Sequence, residues 1–305
     1  MSDEIEKAYE YCESVTKLHA KSFYFAAKFL PKIKQRAVYP IYAFCRHVDD
    51  EIDEIGEGDE AEAIRAVERW KQKLEVVFEG KGQKVKGKIE TKNQKPMTKD
   101  QNLVFTAWED LLRTYKITRE LPLELIQGVL MDTQIKRYET FDELYVYCYR
   151  VASTVGLMSS EILGYSDCIA LEYAEAMGIG MQLTNILRDI KEDAAMGRIY
   201  LPQEDLRKFN IPEEQIFAGE FDKNFAEMMK FQVERAREFY QKGEQGIALL
   251  EKDSRFTVLL ASRIYAKILD EIEKQDYNVF IRRAHTSRMQ KIFSIPKIWF
   301  QTSKY

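Results

Sequence analysis

Glycine and proline, the residues that most often interrupt a helix, are scarce in this sequence: 14 Gly and 7 Pro in 305 residues. Between them, apolar residues recur at helical spacing. Ile5, Ala8, Tyr9 and Cys12 fall at i, i+3, i+4 and i+7, and Phe225, Met228, Met229 and Phe231 begin another stripe. Runs that alternate apolar and polar residues for the length of a sheet strand are missing. The pattern predicts an all-α fold, a bundle of about nine to eleven helices joined by short loops. Residues 37–45 (AVYPIYAFC) and 151–163 (VASTVGLMSSEIL) are apolar over most of a helical circumference. Such helices belong at the centre of a large fold or along a greasy cavity.

With 45% hydrophobic and 31% charged residues, the composition is that of a soluble globular protein. A net charge of −4 argues against a nucleic-acid partner, which calls for a basic stripe. Cys12, Cys45, Cys148 and Cys168 are scattered and form no CxxC, so reduced, packed thiols are expected rather than disulfides or a zinc site. The N-terminus lacks a signal-peptide core, and no run approaches the roughly 20 apolar residues of a membrane span. A cytoplasmic protein, at most peripheral on a membrane, is expected. Residues 80–99, rich in Lys and Gly, read as a surface insertion, with contact to anionic lipid as the alternative. Gly82, Gly87 and Lys88 imitate a phosphate-binding loop, but Ile89 stands where Ser or Thr is needed and no strand precedes it. The segment after His285 mixes Arg and Lys with Ile, Phe and Trp. A last helix capping the core is the expectation, and a membrane-surface helix the alternative.

The strongest local signal is CRHVDDEID, residues 45–53. Asp49 and Asp53 stand one turn apart, so their carboxylates share a helix face. Their mutual repulsion would be reversed by a bound cation, and magnesium typically binds through one or two carboxylates plus substrate phosphates. A lone pair of this kind is usually just a solvated acidic face. A second pair, Asp189 and Asp193, repeats the spacing and is extended by Gln182 and Asn185 into an i, i+3, i+7, i+11 stripe. Met181, Leu183, Ile186, Leu187 and Ile190 make the rest of that helix apolar, and burying such a stripe without partners is costly. An outer polar face of an amphipathic helix is the alternative. Arg188 and Arg198 flank the stripe and suit bidentate contact with phosphate. Two acidic pairs facing one cavity would clamp diphosphates through divalent cations and allow an allylic diphosphate to ionise. Phe23, Tyr24, Phe25, Tyr39, Tyr42 and Phe44 offer a lining for the cation, although an aromatic stripe is also ordinary core.

These residues carry a family resemblance. KSFYFAAKFLP, AVYPIYAFCRHVDDEID, RYETFDELYVYCYRVASTVGLM and QLTNILRDIKEDAAMGRIYLP resemble the squalene/phytoene synthase family, in its order and spacing, from about residue 18 to 283. The resemblance implies an isoprenoid-synthase helical bundle around a central apolar cavity, with the whole of residues 1–305 forming one domain. It implies magnesium, or manganese in its place, held by Asp49, Asp53, Asp189 and Asp193 with Asn185, and Gln182 beside them. It implies diphosphate or substrate contacts at Ser22, Phe23, Tyr42, Arg46, Arg188, Arg198 and Tyr200, with Tyr265 and Arg282 completing the phosphate sites. Tyr138 matches the tyrosine assigned to ionisation or proton removal. The DDEID filling differs from that of many plant enzymes, which sets the chain apart from them.

The family's reaction joins two isoprenyl diphosphates head-to-head through a cyclopropylcarbinyl diphosphate, giving phytoene, dehydrosqualene or, with a hydride from NADPH, squalene. Ala152, Ser153, Val155, Gly156, Met158, Ser159 and Ser160 are mostly small, which favours twenty-carbon substrates and phytoene over two farnesyl diphosphates. NADPH is not favoured. A downstream desaturase is an expected partner. The rival classes are a cyclase or head-to-tail transferase, against which NILRD and RIYLP speak, and a non-catalytic assembly factor, expected to have lost one acidic pair.

Overall fold

In the computed structural model, residues 2–53, 60–80 and 97–302 are described, the side chains of residues 2, 52, 53 and 60 excepted. Among them lie fourteen α-helices: α1 Ser2–His19, α2 Lys21–Ala27, α3 Lys32–Asp53, α4 Glu60–Glu79, α5 Lys99–Thr114, α6 Glu120–Gln134, α7 Phe141–Cys148, α8 Thr154–Leu163, α9 Ala170–Ala195, α10 Gln203–Lys208, α11 Glu213–Ala218, α12 Lys223–Glu244, α13 Lys252–Glu273 and α14 Arg288–Thr302. A π-helix, Tyr149–Ser153, joins α7 to α8, and a 3-10 turn, Gln245–Leu249, follows α12. The all-α expectation holds, and the only β pairing among the described residues is two isolated bridges. The excess over the expected count comes partly from short helices such as α10 and α11, six residues each, whose few turns give little periodic signal. Most of the Lys-rich insertion, including the Gly82–Gly87–Lys88 imitation, lies outside the described residues.

Local chemistry sets several helix starts. Thr98 and Gln101 form a reciprocal capping box at α5, and Thr140 and Asp222 accept backbone N–H bonds at α7 and α12. Packing does the rest. One cluster joins α1, α3, α4 and α5 around the rings of Phe44, Trp70, Phe105 and Trp108. A second gathers around α9 and α12 with Phe225, Met228 and Met229 fully buried. Helix α9, about 39 Å long at 1.5 Å per residue, packs against α7, α8, α11, α12, α13 and the π-helix. Gly178 permits the closest of these approaches, since a Cβ there would fall 2.5 Å from Ser153 Cα. At the far end, the Lys34 ammonium donates to the Leu163 carbonyl (2.8 Å), Glu251 and Asp253 (both 2.6 Å) and pins α3 to α8 and α13.

All four cysteines are free, as expected, but Cys168 is exposed rather than packed. Among the described residues no helix is long and apolar enough to cross a membrane.

Candidate active site

Between the clusters lies a cavity of about 1250 Å³, larger than the ~300–1,000 Å³ of an ordinary small-molecule pocket. Its apolar lining mixes bulky residues such as Ile41, Leu125 and Met177 with small ones: Ala26 and Ala27 of α2, Ala152, Gly156 and Ser159 around the π-helix and α8, Ala174 and Gly178 of α9. Of the small-residue run expected to set its depth, Ser153 and Met158 instead turn into the core. Ser153 Oγ donates to the Glu175 carbonyl at 2.8 Å. The π-helix adds a residue to the turn, a feature frequent at functional sites, and so resets which positions of α7 and α8 face the cavity.

Its mouth is charged. Helix α3 contributes Tyr42, Arg46 and Asp49 at i, i+4 and i+7, with the Tyr42 ring stacked on Phe23 of α2 at 6.1 Å. Asp53 ends α3, and its side chain lies outside the described residues. Helix α9 brings Gln182, Asn185, Arg188, Asp189 and Asp193 to the same cavity, so the polar stripe is an inner face and not an outer one. The Asn185 carboxamide donates to Gln182 at 3.0 Å and accepts from the Tyr265 hydroxyl of α13. Ser22 lines the mouth and accepts from Lys291 of α14 at 2.8 Å.

The two acids of α9 are electrostatically opposite. Burial works against the charge of Asp189, but bonds from Arg188 (2.8 and 2.6 Å) and Arg283 (2.7 and 2.9 Å) outweigh it and hold its carboxyl below the ordinary range. Asp193, one turn on, is pushed up to about 7 by burial and by the charges of Asp189 and Asp132. A buried carboxyl raised by its neighbours is short of positive charge, which is the condition a cation would relieve.

Two expected residues need relocation. Tyr138 does not line the cavity. It is 1% exposed, lies behind Tyr147 and Tyr200 with ring centroids 5.6 and 6.0 Å away, and its hydroxyl is buried with no bonding partner among the described residues. Its two ring neighbours, Tyr147 and Tyr200, do line the cavity, and their hydroxyls donate to Asp132 of α6 at 3.1 and 2.7 Å. Burial, with Asp132 beside them, pushes both phenols far above their usual range, so they stay neutral donors. Arg282 is exposed and turned from the cavity, whereas its neighbour Arg283 reaches Asp189. Asp132 itself was missed, although a single acid in the apolar run LIQGVLMD was a legible signal. Arg198 and Tyr200 line the cavity where expected, and the backbone bridge Arg137–Ile199 ties the RYET segment to RIYLP.

A large apolar chamber in an all-α bundle, with facing acids and a ring of arginines at its mouth, defines the class of prenyl-diphosphate-using enzymes. Over residues 16–290 the sequence matches squalene/phytoene synthase, and the chain belongs to that family of prenyltransferases. It is 38% identical to the 15-cis-phytoene synthase of Synechocystis sp., covering 97% of this chain and 86% of that one. It is 37% identical to the chloroplastic phytoene synthase 2 of Solanum lycopersicum, over 96% and 90%. The expected distance from plant enzymes is therefore not found. Among solved structures, a ligand-bound dehydrosqualene synthase superposes with a TM-score of 0.86 at 29% identity, covering 99% of both chains. Squalene synthase HpnC from Alicyclobacillus acidocaldarius gives 0.76 at 27% identity, over 90% and 96%.

The family uses a divalent metal, and the residues present fit one. Among the described residues no three His, Cys, Asp or Glu side chains come together to cage an ion unaided. What the chain offers is hard oxygen donors from Asp49, Asn185, Asp189 and Asp193, with room for water and phosphate to complete the shell.

Proposed function

We propose that the chain is a single catalytic domain that condenses two geranylgeranyl diphosphates head-to-head to phytoene, with magnesium as the metal and manganese as a substitute. The observation that carries this reading is the junction of the charged mouth with an apolar chamber of about 1250 Å³. The names of the curated relatives, phytoene synthases from cyanobacteria and plants, support the twenty-carbon substrate over farnesyl diphosphate. NADPH has no role when the last cation loses a proton. The acidic stripe is intact, which speaks against a non-catalytic assembly factor.

In this mechanism Asp49, Asp189 and Asp193, with Asp53 of the same sequence motif, would hold the metal together with Asn185, whose amide Gln182 orients. Bound cations supply Lewis acidity to the departing diphosphate. Arg46, Arg188, Arg198 and Arg283 bind phosphate oxygens, Arg188 and Arg283 turning from Asp189 to do so. Ser22 and Lys291 close the mouth opposite them, and Tyr265 fixes Asn185. Phe23 and Tyr42 present ring faces to the allylic carbon, and the apolar wall excludes water from the cation. The double bond of the second substrate attacks C1 of the first. Proton loss to the released diphosphate then closes the cyclopropane, with Tyr147 and Tyr200, held by Asp132, as neutral hydrogen-bonding groups in the cavity lining. The second ionisation rearranges the skeleton to the C1–C1′ link, and a last proton loss gives phytoene. Substrates and product are long-chain lipids, so cytoplasmic protein in peripheral contact with a membrane, near a consuming desaturase, belongs to the same reading.

The test is incubation of the purified protein with geranylgeranyl or farnesyl diphosphate, with and without Mg2+ and NADPH, followed by chromatography of the extract. Phytoene from the first substrate, dependent on Mg2+ alone, is expected. A thirty-carbon product formed in preference would overturn the substrate assignment, and no diphosphate release from either would overturn the catalytic one.

A further inference from the structure

Helix α14 packs chiefly by one face. Ser294 and Ile298 are buried, the Lys267 ammonium donates to Ser294 Oγ at 2.6 Å, and the Gln290 amide donates to Glu271 at 2.7 Å. These pins fix its rotation, so the opposite face is a defined surface. Along that face Met289, Ile292, Phe293, Pro296 and Phe300 follow i, i+3, i+4, i+7 and i+11, with Phe293 72% and Phe300 73% exposed. Trp299 stands at the edge of the stripe, its ring 5.1 Å from Phe256, which in turn lies 5.1 Å from the exposed Phe29. The apolar surface thus continues to the α2–α3 turn, where Lys28 and Lys32 flank it. A contiguous exposed patch of this kind marks an interaction surface.

Charge decides its partner. After Asp276 the sequence contains no Asp or Glu, while Arg282, Arg283, Arg288, Lys291, Lys297 and Lys304 are all basic, in a chain whose net charge is −4. A helix with bulky apolar residues on one side and only basic charges in its own segment, Glu271 of α13 being bonded to its Gln290, suits an anionic lipid surface, into which rings sink while Lys and Arg meet headgroups.

We propose that α14 is the membrane-docking element of this protein, seating on an anionic bilayer through Phe293, Trp299 and Phe300. Lys291, two residues before Phe293 and on the packed side of the same helix, bonds Ser22 at the cavity mouth, so docking of α14 sets that mouth beside the lipid surface. There a long-chain substrate enters and an apolar product leaves. This link to the cavity rests on the isoprenoid reading; the docking does not.

The chain carries its own probe. Of its three tryptophans, Trp70 and Trp108 are fully buried and Trp299 is 62% exposed. Titrating the full chain with phosphatidylglycerol-containing vesicles is expected to shift tryptophan emission to the blue, a shift absent in Trp299→Phe, which still co-sediments. Neutral phosphatidylcholine vesicles bind more weakly, and added salt weakens the anionic case. Phe293→Ser with Phe300→Ser is expected to weaken vesicle binding by about tenfold or more, while turnover of detergent-dispersed substrate stays at the wild-type level. Equal binding by the double variant, no preference for anionic vesicles, or a lipid-free dimer that buries Trp299 would each overturn the proposal. Loss of turnover with binding intact would count against the isoprenoid reading alone.

Discussion

Replacing Asp193 by asparagine is expected to stabilise the metal-free protein while destroying its activity. Burial and the charges of Asp189 and Asp132 raise the Asp193 carboxyl from 3.8 to about 7. Between about pH 4 and pH 7 the folded protein therefore holds a proton that the unfolded chain has lost, and stability falls as pH rises through that window. Above pH 7 both states are ionised and the loss is complete. A gap of about 3 pH units corresponds to about 4 kcal/mol at 1.36 kcal/mol per unit. Solvent at the cavity mouth screens part of this, leaving roughly 2 kcal/mol. Asparagine keeps the shape without the charge, so thermal unfolding in chelator should place Asp193→Asn about 4 °C above wild type at pH 8. The difference should shrink towards zero by pH 4, and Mg2+ should raise the wild type more than the variant. An Asn variant no more stable than wild type at pH 8, or a gap independent of pH, would refute the argument that this acid is held in an unrelieved field.

Four further substitutions probe other parts of the structure. Tyr138→Phe removes a buried hydroxyl that has no partner among the described residues, so stability and turnover should stay within about twofold of wild type; Tyr200→Phe takes a donor from the buried Asp132 and should lower turnover by about tenfold or more. Steady-state kinetics of the pair decides between them. Ser159→Phe projects a ring into the deep end of the cavity, and competition between the two substrates should then shift the kcat/KM ratio towards the fifteen-carbon chain by about tenfold or more. Lys34→Met deprives the Leu163 carbonyl, Glu251 and Asp253 of their shared donor; chemical denaturation should show a loss of about 2 kcal/mol, moderated because both acids reach water, with activity kept at permissive temperature.

Legibility in the sequence followed from how directly each feature obeys a period. Helix α9 is straightforward: Gln182, Asn185, Asp189 and Asp193 lie on one face by arithmetic, and the structure turns that face inward. Scarce Gly and Pro gave the all-α class for the same reason. Spacing failed where the backbone leaves the ideal helix. Tyr138 precedes α7 in an irregular segment that no period describes, and it packs behind Tyr147 and Tyr200, which reach the cavity instead. Residues 274–287 are irregular, and no period distinguishes Arg282 from Arg283 there. Asp132 belongs to no acidic pair, and its meaning appears only when Tyr147 and Tyr200 converge on it. The C-terminal segment was posed as either a core cap or a surface helix. Because α14 has two apolar faces, one packed and one exposed, the alternatives were not exclusive.

The central claim, that facing acids on α3 and α9 drive ionisation of a prenyl diphosphate, is tested most directly by measuring diphosphate release from geranylgeranyl diphosphate. Wild type, Asp49→Asn and Asp189→Asn should be assayed side by side, with circular dichroism confirming that each is folded. Mg2+-dependent release of two diphosphates per phytoene by wild type is expected, with a loss of about 1000-fold or more in each folded variant. Undiminished release by either variant would contradict the account.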